Sequence, residues 1–227
     1  MSLTLIGRTS YRTFRNVWML EELGIDYEQV LAHPRSKLAK GEKIPMLVVV
    51  KDGGSSQFVL RESAAINTYL GDKYGRTDLC PNLVPSTPRP LYEQTVHMIC
   101  NELDSQGLWI HRKHEALGHF FGTIPEAVSV AKRNFESVNR ILVTQLGSEN
   151  YILGANFTAA DILWVHTLDW AESIGWEKAW AEDDDMNRLY QYIHRCRSRP
   201  AYIRTFDKKS AEAEAELKKK LAKKAKL

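Results

Sequence analysis

At 227 residues, 44% hydrophobic and 26% charged, the chain has a globular composition and room for one large domain or two small ones. It holds no apolar run near the roughly 20 residues that span a bilayer and no opening signal-peptide pattern that would imply secretion. It also has no C-x-x-C, so Cys80, Cys100 and Cys196 read as free thiols in a reducing compartment. The net charge of +3 is uneven: residues 208–227 carry eight Lys against three Glu, a local +5 that leaves −2 on the rest and confines any nucleic-acid argument to the tail.

In chain order, residues 3–6 read as a short apolar strand and residues 7–12 as a polar turn. From Thr13 the spacing of Phe14, Val17, Leu20 and Leu23 predicts a helix that Gly24 stops. Residues 27–31 read as a second strand. Residues 33–42, polar and holding Pro34 and Gly41, read as a loop with a short helix. Residues 43–70 are the most informative. Ile44-Pro45 leads into the β-branched run Val48-Val49-Val50, Asp52-Gly53-Gly54 marks a turn, and Phe58-Val59-Leu60 is a second apolar run. Glu62-Ser63 then opens a helical pattern of Ala65, Ile66, Tyr69 and Leu70. The order is βαβ-loop-ββα, a sheet built early with short connections.

Pro81, Pro85, Pro88 and Pro90 mark residues 79–90 as an interdomain linker. Beyond it strand patterns nearly vanish, which gives an α+β chain with an all-helical second part. One helix is expected from Leu91 past Leu103, reaching toward His119. Thr123-Ile-Pro-Glu126 has capping-box spacing, and Val128, Ala131, Phe135, Val138, Leu142 and Leu146 hold helical period until Gly147. Thr158 and Asp161 stand as N-cap and N3 of another helix, whose Leu163, Trp164, Leu168 and Trp170 make it apolar on more than one face. His111 and His114 lack zinc spacing and read as a solvated face; no metal is expected. In the tail, Glu212, Glu214 and Glu216 precede Lys218, Lys219, Lys220, Lys223 and Lys224, an order that suits the helix dipole. Glu214–Lys218 and Glu216–Lys220 have favourable spacing. Only Leu217 and Leu221 offer packing, so a marginal, frayed helix is expected.

The stretch from Lys43 to Leu70 resembles the glutathione site of the glutathione transferase family. Ile44-Pro45 is similar to its cis-proline step, and Arg61-Glu-Ser-Ala-Ala-Ile66 to its ESxAI helix start. Thr158 with Asp161 resembles the family's buried N-capping box, and Arg199-Pro200-Ala201 its RPA step. Phe14-Arg15, Trp18 and residues 20–27 most resemble bacterial and fungal members. The resemblance covers roughly residues 3–207. It implies a thioredoxin-like glutathione-binding domain over 1–78, a linker over 79–90, a helical domain over 91–207 and a lysine-rich tail over 208–227. It also implies a cytoplasmic homodimer with a role in detoxification.

The chemistry fits these residue types. Proline is the residue for which a cis peptide is cheap, about 0.5–1 kcal/mol. A cis step would expose the Ile44 backbone to a peptide-like ligand as an added strand does. The amides opening the helix at Ser63 would hold a carboxylate, and Glu62 the ligand's amine. Lys43, with Arg12 and His33 as weaker candidates, would meet the glycine end of glutathione. Its thiol has a free pKa near ~8.5 and reacts as the thiolate. A hydroxyl at a helix N-terminus can favour that anion. The turn from Arg8 to Thr13 offers two: counting back from Gly24 selects Ser10, whereas alignment on bacterial and fungal members selects Tyr11. Ser10 is preferred, and its alternative as a simple N-cap stays open. No cysteine lies in this turn, which argues against mixed-disulfide chemistry. The second substrate is expected near Trp109, Arg112 and Phe120 or Phe121.

Two functions follow. One is a glutathione transferase that conjugates glutathione, its co-substrate, to small hydrophobic electrophiles or reduces peroxides. The other is a non-catalytic module of the same fold whose basic tail contacts RNA, a membrane or a protein. The final Ala225-Lys226-Leu227 resembles a peroxisomal address of the Ser-Lys-Leu type with Ala in place of Ser.

Overall fold

The computed structural model describes residues 2–50, 57–83, 88–177 and 183–224. The Asp52-Gly53-Gly54 turn, Pro85 and the terminal Ala225-Lys226-Leu227 lie outside the described residues.

The chain forms two compact units, one of residues 1–75 with 197–227 and one of residues 76–196. The first holds four strands, β1 (Ser2–Ile6), β2 (Glu28–Val30), β3 (Met46–Val50) and β4 (Gln57–Arg61), in the order β2-β1-β3-β4. β1 runs parallel to β2 and antiparallel to β3, which pairs antiparallel with β4. Two-residue alternation sorts the side chains. Leu3, Leu5, Leu47 and Val49 are at most 4% exposed on one face. On the other, Ile6 and Met46 are buried with Ala32 and Ala39, and Val30, Ile44, Val48 and Val59 pack against them. Residues 31–42 thus cover a sheet face. They do so with turns and no helix, against the short helix expected there, and Arg35 and Lys40 sit at φ 58° and 50°.

α1 (Thr13–Leu23) ends as its sequence predicts: Gly24 adopts the left-handed conformation at φ 63°, and its amide reaches the Leu20 carbonyl. α2 (Ser63–Lys73) packs on α1. The last helix of the chain, α9 (Pro200–Lys224), packs on α1 as well. Trp18 and Tyr202 meet edge to face at 4.9 Å, and Arg199 forks onto Glu22 at 2.7 and 2.8 Å. The frayed tail expected beyond residue 207 is therefore replaced by one continuous helix through Lys224, and a boundary at 207 would cut it. Its anchors there are polar: Lys208 Nζ donates to Glu21 at 2.6 Å and to the Tyr27 hydroxyl at 2.9 Å. Burial pushes Glu21 up, but Lys208 and Arg204 outweigh it and hold its carboxyl below the usual range. Leu217 and Leu221 each stay 58% exposed.

The second unit is helical. α3 (Arg89–Met98) widens into π-helical geometry over Ile99–Leu108, followed by α4 (Trp109–His111), a further π turn at Arg112–Ala116 and α5 (Gly118–Phe121). α6 (Pro125–Leu146), α7 (Ala159–Ser173) and α8 (Asp183–Arg197) complete it. The expected linker is partly built into this unit: Leu79 and Cys80 are buried, and the Leu79 carbonyl accepts the Ala159 amide at 2.8 Å. The Thr123 capping box does not form. Ile124 occupies the N-cap of α6 with no side-chain cap, and Thr123 instead packs against Gly118, where a Cβ would meet its hydroxyl at 2.3 Å. The Thr158–Asp161 box does form. Asp161, fully buried, accepts from the amides of Ile152 and Thr158 and the hydroxyls of Thr158 and Tyr192, all at 2.8–2.9 Å.

Candidate functional site

Three of the residues expected at glutathione lie at helix starts of the first unit: Arg12 is the N-cap of α1, Glu62 the N-cap of α2 and Ser63 its first residue. A buried polar network joins these helix starts. Asn16 Nδ2, in the first turn of α1, donates to the Ser63 carbonyl at 2.9 Å and to Asn67 Oδ1 at 2.7 Å. Asn67 Nδ2 returns to the Arg15 carbonyl at 3.3 Å, and Arg15 Nη1 donates to Ser63 Oγ at 3.3 Å. Arg15, Asn16 and Asn67 are at most 1% exposed, and Ser63 is 5% exposed. Polar side chains buried this deeply have to be paired, and pairing them fixes the β1–α1 turn beside the start of α2.

The Ile44–Pro45 bond is cis, as its sequence context predicts. Pro45 is buried and leads straight into β3, whose Met46 pairs with Ile6 and Arg61. Glu62 is exposed at φ 66°, ψ 118°, a conformation unfavourable for a residue with a Cβ. Such strain, of order 1–3 kcal/mol, gathers at ligand sites where the surroundings enforce it. Glu62 is also the N-cap of α2 but makes no side-chain cap hydrogen bond. The first amides of α2 thus keep their donor capacity and positive dipole end.

The turn residues divide by role. Ser10 is exposed, and its hydroxyl has no hydrogen bond among the described residues. It does not cap α1, whose N-cap is Arg12 with no side-chain cap hydrogen bond. Tyr11 is engaged: its hydroxyl meets His33 Nδ1 at 3.0 Å, with the rings edge to face at 6.0 Å. His33 Nε2 lies 3.8 Å from Glu216, which also takes Arg8 at 2.8 Å and Lys220 at 3.0 Å. The Lys220 hydrogen bond, with the charges of Arg8 and Lys220, holds the Glu216 carboxyl below its ordinary range. Lys43 is exposed and forms no ion pair among the described residues.

The residues expected at the second substrate lie in the second unit. Trp109 opens α4 with Lys113 Nζ 5.8 Å over its ring. The Arg112 carbonyl accepts from the Leu117 amide at 2.9 Å. Phe120 is 76% exposed, its ring 4.2 Å from that of His119. His111 departs from the solvated face expected of it: it is buried, edge-on to Trp176 at 5.2 Å, and its Nδ1 has no hydrogen-bond partner among the described residues. No group of three or more metal-ligating side chains occurs among the described residues.

Sequence reasoning missed Arg8, Thr9, Arg15, Asn16, Gln29, Asn67 and Glu212. Only Arg15 and Asn16 carried a signal, as polar residues inside the apolar stretch from Phe14 to Leu20.

The N-terminal part of the chain, residues 1–72, matches the family model "Glutathione S-transferase, N-terminal domain", and residues 115–195 match "Glutathione S-transferase, C-terminal domain". A relative in Arabidopsis thaliana, glutathione S-transferase F14, is 25% identical over 208 residues, spanning 83% of this chain and 76% of that protein. Among solved structures, Ure2p5 from Phanerochaete chrysosporium, cocrystallized with 1-(S-glutathionyl)-2,4-dinitrobenzene, is similar at a TM-score of 0.77 and 20% identity, covering 94% of this chain and 96% of that one. A glutathione transferase from Pseudomonas putida with one glutathione disulfide bound per subunit has a TM-score of 0.75 at 18% identity, covering 90% of each chain. At these identities the structural matches bear on fold.

Proposed function

Because the chain belongs to the cytosolic glutathione S-transferase superfamily and is a glutathione transferase, we propose that it activates the glutathione thiol at the β1–α1 turn, with Ser10 as the hydrogen-bond donor. The thiolate so formed attacks small hydrophobic electrophiles, with peroxide reduction as a side activity. The observation that carries the choice of Ser10 is its exposed hydroxyl, which is committed neither to a cap nor to a side chain, whereas the Tyr11 hydroxyl is committed to His33.

In this reading the Ile44 backbone before Pro45 runs along the peptide, and the free amides of α2 at Ser63 take one carboxylate. Glu62 takes the amine, and Lys43, Arg12 and His33 serve the glycine end. Lowering the thiol pKa by two units takes about 2.7 kcal/mol of preferential thiolate stabilisation, within what a preorganised hydroxyl at a helix N-terminus supplies. We assign the electrophile to the surface around Trp109, Arg112 and Phe120. A purely scaffolding module has no need of these ligand groups, and nothing in the comparisons favours that reading.

The test is Ser10→Ala beside Tyr11→Phe. Ser10→Ala is expected to lose about 100-fold in kcat/KM with its fold intact, in the range for one lost transition-state donor, while Tyr11→Phe stays within a few fold. The reverse pattern would name Tyr11 as the donor. The same reading carries a homodimer, checked by light scattering. It also carries cytoplasmic residence, or peroxisomal import through Ala225-Lys226-Leu227, checked by imaging the chain with and without that tripeptide.

A further inference from the structure

We propose that Glu212, in α9, is a positioning residue for the thiol-activating turn, a role that rests on the glutathione-transferase reading above. The turn must satisfy its own backbone. Gly7 and Arg8 donate to the carbonyls of Val30 and Ala32, and Tyr11 to that of Arg8. Thr9, 1% exposed, has its amide turned to Glu212 Oε2 at 2.9 Å. Its hydroxyl donates to the other carboxylate oxygen, Oε1, at 2.5 Å. Gln29 Nε2 reaches that same Oε1 at 3.2 Å, Thr9 Oγ1 at 3.1 Å and the Gly7 carbonyl at 2.9 Å. Arg8 completes the tie, donating to the Glu212 carbonyl at 3.0 Å and pairing with Glu216 one helical turn on.

One carboxylate thus clamps the residue immediately before Ser10, from a helix 203 positions away in sequence. The chemistry calls for a carboxylate. Three donors converge on its two oxygens, and a carboxylate is acceptor-only, whereas an amide would turn an NH2 toward one of them. The clamp acts by geometry, because a hydroxyl donor helps a thiolate only when it is aimed at the sulfur. The charge of Glu212 alone would act the other way, since a nearby anion disfavours a second one. Geometry and charge therefore predict opposite signs when Glu212 is replaced.

The experiment uses the full chain with Glu212→Ala and Glu212→Gln, and with Glu214→Ala, an exposed position on the same helix, as control. Three quantities are read: the pH titration of bound glutathione followed by thiolate ultraviolet absorbance, the glutathione Kd by calorimetry, and amide hydrogen exchange over residues 7–13. For Glu212→Ala the bound thiol is expected to titrate about one unit higher, a tenfold weaker acid. The Kd should change less than about threefold, as expected when an interaction made only with the activated state is lost. Exchange over residues 7–13 should quicken about tenfold, because opening of the turn loses its anchor. Glu212→Gln should fall between, and it carries the test should the alanine variant fail to fold. Glu214→Ala should match the parent. A thiol titration that stays in place or moves lower overturns the proposal. If the parent binds no glutathione, the functional reading fails instead, and the exchange arm still decides the clamp: unchanged protection of residues 7–13 overturns it.

Discussion

Replacing Asn16 by alanine tests the joint between the two helix starts. Asn16 is 0% exposed, and both hydrogens of its amide are spent, one on the Ser63 carbonyl and one on Asn67 Oδ1. The loss is not two full hydrogen bonds. The Ser63 carbonyl opens α2 and keeps its place in the helical ladder. Asn67 Oδ1 loses its donor in a dry site, a penalty of about 1–3 kcal/mol. Against this, Asn16 Oδ1 is itself buried without a hydrogen-bond partner among the described residues, and its removal returns part of that. The small cavity adds about 1 kcal/mol. The net expectation is about 2 kcal/mol of destabilisation, or a Tm drop of roughly 4–8 °C for a chain of this size. A several-fold loss of glutathione affinity should accompany it, because the α2 amides are no longer held against the turn. Differential scanning fluorimetry and calorimetry with glutathione read both. A double-mutant cycle with Asn67→Ala should show strong coupling. A Tm within one degree of the parent together with unchanged affinity would refute the idea that this network sets the site.

Asp161→Ala should cost about 4 kcal/mol or more, because it strands the buried donors of Ile152, Thr158 and Tyr192 at once; soluble yield and chemical denaturation check it. Arg199→Met should cost about 2 kcal/mol by leaving Glu22, whose side chain is 8% exposed, without its fork; the urea midpoint reads it. Burial holds the imidazole of His111 below its ordinary value of 6.5, against the weaker pull of Glu115. As pH falls through about 6.5 the unfolded chain takes a proton there that the folded chain refuses. Stability should therefore drop from pH 7.5 to 5.5 more steeply in the parent than in His111→Phe; equal slopes would contradict this assignment.

Much of the fold is legible because local chemistry states it. Gly24 has no Cβ to oppose the left-handed stop, Thr158 and Asp161 have both spacing and burial for a box, and Ile44-Pro45 announces a backbone feature by residue type. The failures share a cause. Thr123 has the spacing of a cap, but its hydroxyl is needed against Gly118, a contact no local pattern carries. Beyond residue 207, α9 lacks the hydrophobic period that is the usual sign of docking. Its two leucines face solvent, while Lys208, Glu212 and Glu216, four residues apart, bind Glu21, Thr9 and Arg8. A helix docked through charge and hydrogen bonds looks like a solvated helix until its partners are known. The same holds for Glu62, whose positive φ follows from the junction of β4 and α2 and has no signature in the residue itself.

The most direct test of the account is titration of glutathione, and separately of S-hexylglutathione, into the purified protein by isothermal calorimetry. The account predicts saturable binding of both, in the micromolar-to-millimolar range, with the hexyl derivative the tighter because its chain reaches apolar surface beyond the thiol. No heat of binding from either ligand at millimolar concentration would contradict the glutathione site, and with it the role assigned to every residue around Ser10, Pro45 and Ser63.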